Sequence, residues 1–485
     1  MLYHSTRNRD YTVDSAQAVL SGLSPDGGLF VPQTLPKIDV HTCLEKDVFG
    51  MAEEIIGAML PELPNMDKLV KNAYTGKFSS PELTPTVSVG DFSVLELYHG
   101  PTSAFKDVAL CMLPQLLTAA KKVKGMQEDI MIITATSGDT GKAALEGFAN
   151  VEGVKICVFY PDGGVSKVQR AQMVTQEGNN VAVCGVVGNF DDAQTGVKNI
   201  FSQAIDGRLP AGNKCRLSTA NSINIGRLAP QIVYYFKAYS DLVKQGKIKT
   251  GDEVNFCVPT GNFGNILAGF LAKKLGLPVG KLVCASNENN VLTDFINTGV
   301  YDRRRPLHKT LSPSMDILVS SNLERLLYFI SGDTGYVKSC MESLNKDGIY
   351  TVTEAVKQAV QAQFYAGFCG DQKAQETIKA VWENHHYLCD THTATAWAVA
   401  EDYVKTTGDT RPMVVLSTAS AYKFPAAVLN SLETVTETDD FRLLEMLNAK
   451  TGVAIPMNLR GLEQKEERHT GVIEKDAMLS FVQER

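Results

Sequence analysis

The sequence lacks several features that would indicate a membrane, a secretory route or a nucleic acid. No apolar run is long enough to span a bilayer, and the first residues have no apolar stretch of the kind found in secretion signals. We therefore expect a cytoplasmic protein with no membrane partner. The net charge is −7 over 485 residues, which argues against nucleic acid as a partner, because a phosphate backbone requires a clustered basic face. A small anionic ligand is not excluded, since it responds to local charge.

Paired cysteines are also missing. None of the ten cysteines forms a C-x-x-C motif, and most lie in apolar stretches. In a long chain without a secretion signal, this pattern is typical of reduced thiols that pack as small hydrophobic side chains.

Short β-prone runs alternate with long amphipathic runs from about residue 92 onward. The predicted strands are Ile130–Thr134, Val154–Tyr160, Asn180–Val187, Glu253–Val258, Lys281–Ala285 and Met413–Leu416. The predicted helices are Phe105–Lys122, Lys142–Asn150, Ser166–Glu177, Asp191–Ala204, Arg227–Gln245, Asn265–Leu275 and Thr353–Ala366. Such alternation predicts an α/β fold with parallel sheets, whose ligands bind at the carboxyl ends of the strands.

Changes in composition and in the pattern of apolar residues divide the chain into four parts. Residues 1–95 are punctuated by glycine and proline and are expected to form a separate N-terminal domain. Residues 96–250 and 251–432 are expected to be two α/β portions, and residues 433–485 a charged helical tail on the surface. The segment Ser-Gly-Asp-Thr-Gly occurs at 137–141 and again at 331–335, where we expect only a turn between two helices.

The first candidate loop, His99–Asp107, carries a lysine at the start of a predicted helix. Ser103 is placed to cap that helix, and Lys106 falls in its first turn. The positive end of the helix dipole and the apolar neighbour Phe105 should both lower the pKa of Lys106, which favours a nucleophilic amine. On residue type alone, an ordinary exposed lysine is the commoner case.

Two further loops are suited to anions. In Val258–Asn265, Gly261 and Gly264 let backbone N–H groups approach an anion where a helix begins. The loop matches neither the phosphate-binding loop of NTPases nor G-x-G-x-x-G. The loop Thr136–Gly141 also joins a strand to a helix and could bind a carboxylate, although a plain capped turn is an equally good interpretation. A fourth segment, Val415–Ser420, offers hydroxyl groups at a strand end.

Together these segments resemble the threonine synthase family, which belongs to the fold type II (tryptophan synthase β-like) enzymes that use pyridoxal 5′-phosphate (PLP). The resemblance runs through most of the chain in order and spacing. Its pieces are His99–Asp107, Thr134–Gly141, Tyr160-Pro161 with Gly164–Ser166, Asn221–Asn224, Gly261–Asn265, Ser312–Asp316 and Ser417–Ala419. It implies two parallel-sheet αβα domains with an extra N-terminal domain.

The resemblance also implies roles for individual residues. Lys106 would be the Schiff-base lysine and the catalytic base. The cofactor phosphate would be held by Gly261, Asn262, Phe263, Gly264 and Asn265. Thr418 would face the pyridine nitrogen of the cofactor, and Asp139 would lie near its ring oxygen.

The implied reaction converts O-phospho-L-homoserine and water into L-threonine and phosphate. Thr136, Ser137, Gly138 and Thr140 would bind the substrate carboxylate. Asn221 and Arg227 are the remaining candidates for substrate contacts, with Arg227 the first choice for the substrate phosphate and Lys142 and Lys423 weaker ones. We expect a monomer or a homodimer.

Three alternatives stay open. A PLP-dependent phospho-lyase or dehydratase acting on a related hydroxy amino acid would release a 2-oxo acid. A metal enzyme would use His386, Cys389 and His392, but the spacing fits no usual zinc pattern, and Asp390 to His392 are placed as the cap of a helix. A non-catalytic binding protein is disfavoured by the intact Lys106 and anion loops.

Overall fold

The computed structural model of the chain describes residues 1–136, 138–204, 207–209 and 215–485. The N-terminal part, to residue 74, packs helices against a small antiparallel sheet of order β2-β1-β3. Its elements are β1 (Leu2–Ser5), β2 (Asn8–Asp14), α1 (Ser15–Ser21), β3 (Phe30–Pro32), α2 (Val40–Glu45), α3 (Val48–Met59) and α4 (Met66–Tyr74).

The next part contains the strand-helix alternation that the sequence predicts. Its elements are β4 (Thr86–Val89), β5 (Phe92–Glu96), α5 (Lys106–Val123), β6 (Ile130–Ala135), α6 (Asp139–Phe148), β7 (Val154–Pro161), α7 (Lys167–Val174), β8 (Val181–Val186), α8 (Phe190–Ser202), β9 (Arg216–Ser218) and α9 (Ile225–Lys244). The apolar run of β6 is buried along most of its length, as expected for a strand covered by helices on both faces.

The third part continues with the same units and adds helical insertions. Its elements are β10 (Val254–Pro259), α10 (Gly264–Lys274), β11 (Val279–Ser286), α11 (Val291–Thr298), β12 (Val300–Asp302), α12 (Leu323–Ser331), α13 (Thr334–Asp347), β13 (Ile349–Thr351), α14 (Glu354–Gln363), β14 (Phe364–Phe368), α15 (Asp371–His385), α16 (Thr391–Thr407), β15 (Met413–Ser417) and α17 (Pro425–Leu432). The last elements are α18 (Asp440–Thr451), β16 (Val472–Ile473) and α19 (Met478–Gln483).

Two larger sheets organise these elements. The six-stranded sheet has the order β14-β11-β10-β15-β5-β4 and is parallel except for β4, which pairs antiparallel with β5. The five-stranded sheet has the order β16-β8-β7-β6-β9 and is parallel throughout. The α/β class with two parallel-sheet portions and an N-terminal domain is therefore confirmed.

The structure differs from the sequence-based predictions in three places. The strands β4 and β5 lie mostly within the range 1–95 but belong to the six-stranded sheet, where β5 pairs with β15 and β4 pairs with β5. The helix predicted for Thr353–Ala366 ends at Gln363, and Phe364 begins the edge strand β14 beside β11. The tail is not helical throughout, because β16 extends the five-stranded sheet next to β8. The turn at 331–335 does join two helices, as expected.

Candidate active site

The loops after β5 and β15 are joined directly, and this joint holds the start of α5. Ala104 forms a bridge with Ala419, and the backbone N–H of Phe105 donates to the carbonyl of Thr418 at 2.8 Å. Lys106 is the first residue of α5. The fold thus places the candidate lysine at the carboxyl end of the six-stranded sheet, beside Thr418.

The amine of Lys106 lies inside the protein and not in open solvent. Its side chain is 12% exposed, and Nζ lies 3.3 Å from Oγ of Ser314 and 4.0 Å from Oδ2 of Asp139. Burial lowers the pKa of Lys106 to about 8; the Asp139 carboxylate opposes this shift, and the charges of Arg227 and Lys423 reinforce it. This lysine therefore loses its proton far more readily than an exposed one, and about a tenth of it is uncharged at pH 7, which favours a nucleophilic amine.

Asp139 is the buried carboxylate opposite this amine. Its Oδ1 lies 2.9 Å from Nζ of Lys423, whose side chain is fully buried, and accepts from Nε2 of Gln169 at 3.1 Å. Burial alone would raise the pKa of Asp139, but the charges of Lys423 and Lys106 outweigh it and hold the pKa well below its usual range. Lys423, a weaker candidate for the substrate phosphate, is thus committed to Asp139.

The glycine turn before α10 contacts the same segment as Lys106. A side chain at Gly261 would meet the carbonyl oxygen of Ser314 at 2.8 Å, so the two backbones approach as closely as glycine allows. Phe263 has φ 61°, a left-handed conformation that costs energy outside glycine and often occurs at functional sites. The carbonyl of Asn262 accepts from both the backbone N–H and Nδ2 of Asn322, each at 3.1 Å. The turn is therefore fixed in place beside Ser314.

Asn265 supplies a buried donor to this turn. Its Oδ1 accepts from the hydroxyls of Tyr234 at 2.6 Å and Tyr235 at 2.9 Å. Its Nδ2 is buried and has no hydrogen-bond partner among the residues that the structure describes. Because an unpaired buried donor is costly, this amide is suited to an acceptor that the protein itself does not provide.

Arg227 carries a second unpaired donor. The side chain is 3% exposed; Nη1 donates to the carbonyl of Ala220 at 2.9 Å, while Nε is buried without a partner in the described part of the chain. Burial lowers the pKa of Arg227 to about 10. No carboxylate pairs with it within residues 1–136, 138–204, 207–209 and 215–485, so a buried positive charge near Lys106 is left for an anion. Asn221, by contrast, is exposed in the loop before α9.

The loop after β6 is closed on itself by Thr136. Its Oγ1 accepts from the backbone N–H groups of Gly138 at 3.0 Å and Gly141 at 2.9 Å, which fixes the start of α6. Gly138 has φ 136° and packs against Gln169, whereas Thr140 is partly buried. Ser137 lies outside the described residues.

One predicted contact in the lysine loop is replaced by another. Ser103 does not cap α5, because it adopts φ 60° and its hydroxyl donates to Oδ1 of Asn458 at 2.9 Å. The loop is closed instead by the carboxylate of Asp107, which accepts from the backbone N–H of Thr102 at 2.9 Å and from its hydroxyl. Nδ2 of Asn458 also donates to the carbonyl of Pro101 at 2.8 Å. The C-terminal tail therefore holds the loop that carries Lys106.

Several side chains that line this site have no role predicted from their own sequence pattern. Ser314 entered only through the resemblance, and Gln169 was not considered. His392 was weighed as a metal ligand, but it contacts Asp390 and the backbone of Ser314. Among the described residues, no group of three or more His, Cys, Asp and Glu side chains is arranged to hold a metal ion.

Comparison with known proteins identifies the family. A family model described as pyridoxal-phosphate dependent enzyme matches residues 74–419, and two others, threonine synthase N terminus and threonine synthase C-terminal, match residues 2–74 and 393–482. Threonine synthase of Saccharomyces cerevisiae is 36% identical over 466 residues, covering 89% of each chain. This chain belongs to the threonine synthase family of pyridoxal-phosphate-dependent enzymes.

Two further similarities show how much of the chain, and of its relatives, the match covers. A crystal structure of PLP-bound threonine synthase from Brucella melitensis superposes with a TM-score of 0.87 at 35% identity, covering 100% of this chain and 99% of that one. Human threonine synthase-like 1 is 38% identical over 436 residues, but the chain spans only 58% of the length of that protein. The threonine synthase fold thus extends over the whole chain.

Among the described residues, none of the helices combines the length and the apolar character that a transmembrane span requires.

The residues present fit the cofactor of this family. A phosphate needs donors and a close backbone approach, which the glycine turn, the first N–H groups of α10 and the unpaired Nδ2 of Asn265 provide. An aldehyde needs an uncharged amine, which Lys106 provides. Lys106 and the glycine turn both contact Ser314, so a single cofactor molecule can reach the amine and the turn at once.

The lowered pKa of Lys106 predicts how the apoprotein takes up PLP. Only the uncharged amine attacks an aldehyde, so the rate of covalent capture of PLP should rise with pH and level off above about 8. Stopped-flow absorbance of the apoprotein mixed with PLP measures this profile. A rate that keeps rising to about pH 10, as for an exposed lysine, would contradict the burial argument.

Gly261→Ala should weaken binding of the cofactor phosphate. The added methyl group would lie 2.8 Å from a backbone oxygen, so the turn or the Ser314 segment must move. Overpacking of this kind costs about 1–3 kcal/mol, which predicts a Kd for PLP raised roughly 10- to 100-fold in an equilibrium titration.

Two controls separate a phosphate effect from general damage. Gly57→Ala in α3, where the nearest heavy atom would lie 3.8 Å away, should leave the Kd unchanged. Pyridoxal, which has no phosphate, should bind Gly261→Ala and the parent protein with similar affinity. An equal loss for pyridoxal and PLP would mean that the turn does not hold the phosphate.

Proposed function

We propose that this protein is a PLP-dependent threonine synthase that converts O-phospho-L-homoserine and water into L-threonine and phosphate. One observation carries the proposal: a buried amine of lowered pKa shares the Ser314 segment with a glycine turn suited to a phosphate, and a buried arginine without a carboxylate partner lies near that amine. A cofactor phosphate and a substrate phosphate could therefore flank one nucleophilic lysine. Family membership supports the same conclusion.

In this proposal, Lys106 holds the cofactor and then acts as the base. When bound, the cofactor supplies an electron sink that stabilises negative charge at the substrate α-carbon. After the substrate amine has replaced Lys106, the free Nζ of this lysine would take the α-proton of the substrate. The neighbouring Oδ2 of Asp139 stabilises the ammonium form that results, since it lies 4.0 Å from Nζ. The same lysine would also move the β-proton.

The remaining residues of the site bind and orient. Gly261 to Asn265 would hold the cofactor phosphate. Thr418 would offer a hydroxyl to the ring nitrogen, which does not enforce ring protonation as a carboxylate would. Asp139, kept ionised by Lys423, would be the residue near the ring oxygen. Thr136, Ser137, Gly138 and Thr140 bind the substrate carboxylate, and Arg227 binds its phosphate, with Asn221 at the exposed edge.

Product analysis in H₂¹⁸O tests the proposal against its alternatives. Elimination of phosphate and addition of water at the β-carbon put ¹⁸O in the threonine hydroxyl and none in the phosphate. A simple phosphatase would release homoserine and labelled phosphate, and the phospho-lyase alternative would yield 2-oxobutyrate. Equal amounts of phosphate and labelled threonine, formed only with PLP, are the expected result, and either other product pattern would contradict it.

The cytoplasmic location and the monomer or homodimer remain predictions, and so do the domain boundaries 1–95, 96–250, 251–432 and 433–485. The substrate of this protein is a small molecule, in keeping with the enclosed site around Lys106. Size-exclusion chromatography with light scattering measures the oligomeric state.

A further inference from the structure

His392 is a buried histidine held on both ring nitrogens at the edge of the site. It lies in the first turn of α16 and is 3% exposed. Nδ1 lies 2.7 Å from Oδ2 of Asp390, and Nε2 lies 3.3 Å from the backbone nitrogen of Ser314. The ring packs against Phe424 with centroids 5.0 Å apart. The imidazole is thus fixed in position by contacts on each side.

These partners determine where the imidazole carries its proton. The backbone N–H of Ser314 can only donate, so Nε2 must be the unprotonated acceptor. The carboxylate of Asp390 can only accept, so Nδ1 must carry the proton. The same carboxylate is fully buried and also accepts from the backbone N–H of His392 and of Thr393, each at 3.0 Å, which orients it.

Ser314 is the residue that this arrangement positions. Its Oγ accepts from Nζ of Lys106 at 3.3 Å and donates to Oδ2 of Asp139 at 3.4 Å. Its carbonyl oxygen packs against Gly261, so closely that a Cβ atom on that residue would lie 2.8 Å away. The hydroxyl decides the direction in which Nζ donates, and hence where the lone pair of the uncharged amine points. A shift of the Ser314 backbone would therefore have two effects at once. It would change the direction of the Lys106 lone pair, and it would displace the glycine turn.

We propose that Asp390 and His392 form a tautomer lock, a carboxylate and a neutral imidazole that hold the Ser314 backbone so that its hydroxyl aims the amine of Lys106. Both are positioning residues, since they act through Ser314 and do not touch Lys106. The inference rests on the proposed function, in which Lys106 is the cofactor lysine and the base. It adds that the two ring contacts of His392 select one tautomer, with the proton on Nδ1 and Nε2 free to accept.

The lock makes a direct spectroscopic prediction. In protein labelled with ¹⁵N-histidine, one ring signal, identified by its loss in His392→Gln, should show a protonated Nδ1 and an unprotonated Nε2 at neutral pH. Asp390→Ser removes the acceptor that faces Nδ1, so Nδ1 should no longer be the nitrogen that carries the proton. Finding Nε2–H or the imidazolium in the parent protein would overturn the proposal.

Variants test whether the lock acts on Lys106. His392→Leu removes the acceptor for the Ser314 N–H and should lower kcat about 100-fold, as expected for a misplacement of about 1 Å, with little change in KM. The rate at which the apoprotein captures PLP at a fixed pH should fall in parallel. His392→Gln returns an acceptor oxygen near the position of Nε2 and should recover most of both rates.

Asp390→Ser distinguishes the lock from helix capping. Serine still caps α16, but its short side chain no longer provides the acceptor for Nδ1–H, so both rates should fall as they do in His392→Leu. Asp333→Ser, at the N-terminal cap of α13, is the matched control and should change neither rate. If His392→Leu does not fold, the Asp390→Ser variant alone decides the question.

The outcomes also separate this inference from the proposed function. Parent-like kcat and capture rates in Asp390→Ser and His392→Leu, together with an inactive Lys106→Ala, would overturn the lock alone. An active Lys106→Ala would overturn the role of Lys106 itself, whatever the tautomer of His392.

Discussion

Lys106→Ala should lose the visible absorbance of the cofactor-loaded protein and at least about 10³-fold in kcat with O-phospho-L-homoserine. The variant removes both the nucleophile that holds the cofactor and the base that moves the α-proton. It leaves the glycine turn intact, because the contact between Gly261 and Ser314 involves only backbone atoms. PLP should therefore still bind, more weakly and as the free aldehyde, which a spectral titration can follow.

Lys121→Ala is the matched control for this experiment. Lys121 lies in the same helix, its side chain is 15% exposed, and it pairs with Asp129 far from the site. Its loss should leave the absorbance and kcat unchanged. If Lys106→Ala retained full turnover, the assignment of the cofactor lysine would be wrong.

Arg227→Ala should raise KM for O-phospho-L-homoserine by about 10- to 100-fold, as expected for the loss of a charged hydrogen bond worth about 1.5–3 kcal/mol. The guanidinium is buried, near Lys106 and unpaired at Nε, so the substrate phosphate is its natural partner. The inhibition constant of inorganic phosphate should rise by a similar factor. The Kd of PLP should change little, because the cofactor phosphate belongs to the turn at Gly261.

Two variants control for burial and charge. Arg227→Gln keeps much of the bulk and a donor but not the charge, so it should bind phosphate as weakly as Arg227→Ala while folding more stably. Lys142→Gln removes a cation that already contacts Glu146, at 2.9 Å, and Gln176, and KM should not change. An unchanged kcat/KM in Arg227→Ala would remove this residue from the site.

Local patterns predicted the parts of the site that follow strands directly. The loops at Thr136, Gly261 and Thr418 each come after a buried apolar run, so alternation alone located them. The edge strand β14 was missed, because the periodicity of α14 continues into Phe364 and only pairing with β11 ends the helix there. The pairing of β5 with β15 joins segments more than 300 residues apart, which no local pattern can indicate.

The contacts of Ser314 with Lys106 and His392 could not be predicted, for the same reason. Ser314 lies 208 residues from Lys106 in the sequence and 78 from His392, so the fold alone brings them together. Ser103 was assigned to the wrong partner because its left-handed backbone directs the hydroxyl to Asn458, which the tail contributes. The type of site was thus accessible from the sequence, whereas the contacts that set its electrostatics were not.

Chemical trapping would identify the lysine that holds the cofactor. Borohydride reduction of the PLP-loaded protein fixes the cofactor permanently to that lysine, and digestion followed by mass spectrometry locates the modified residue. The expected result is one pyridoxyl group per chain, located on Lys106. A modification on any other lysine, or none at all, would contradict it.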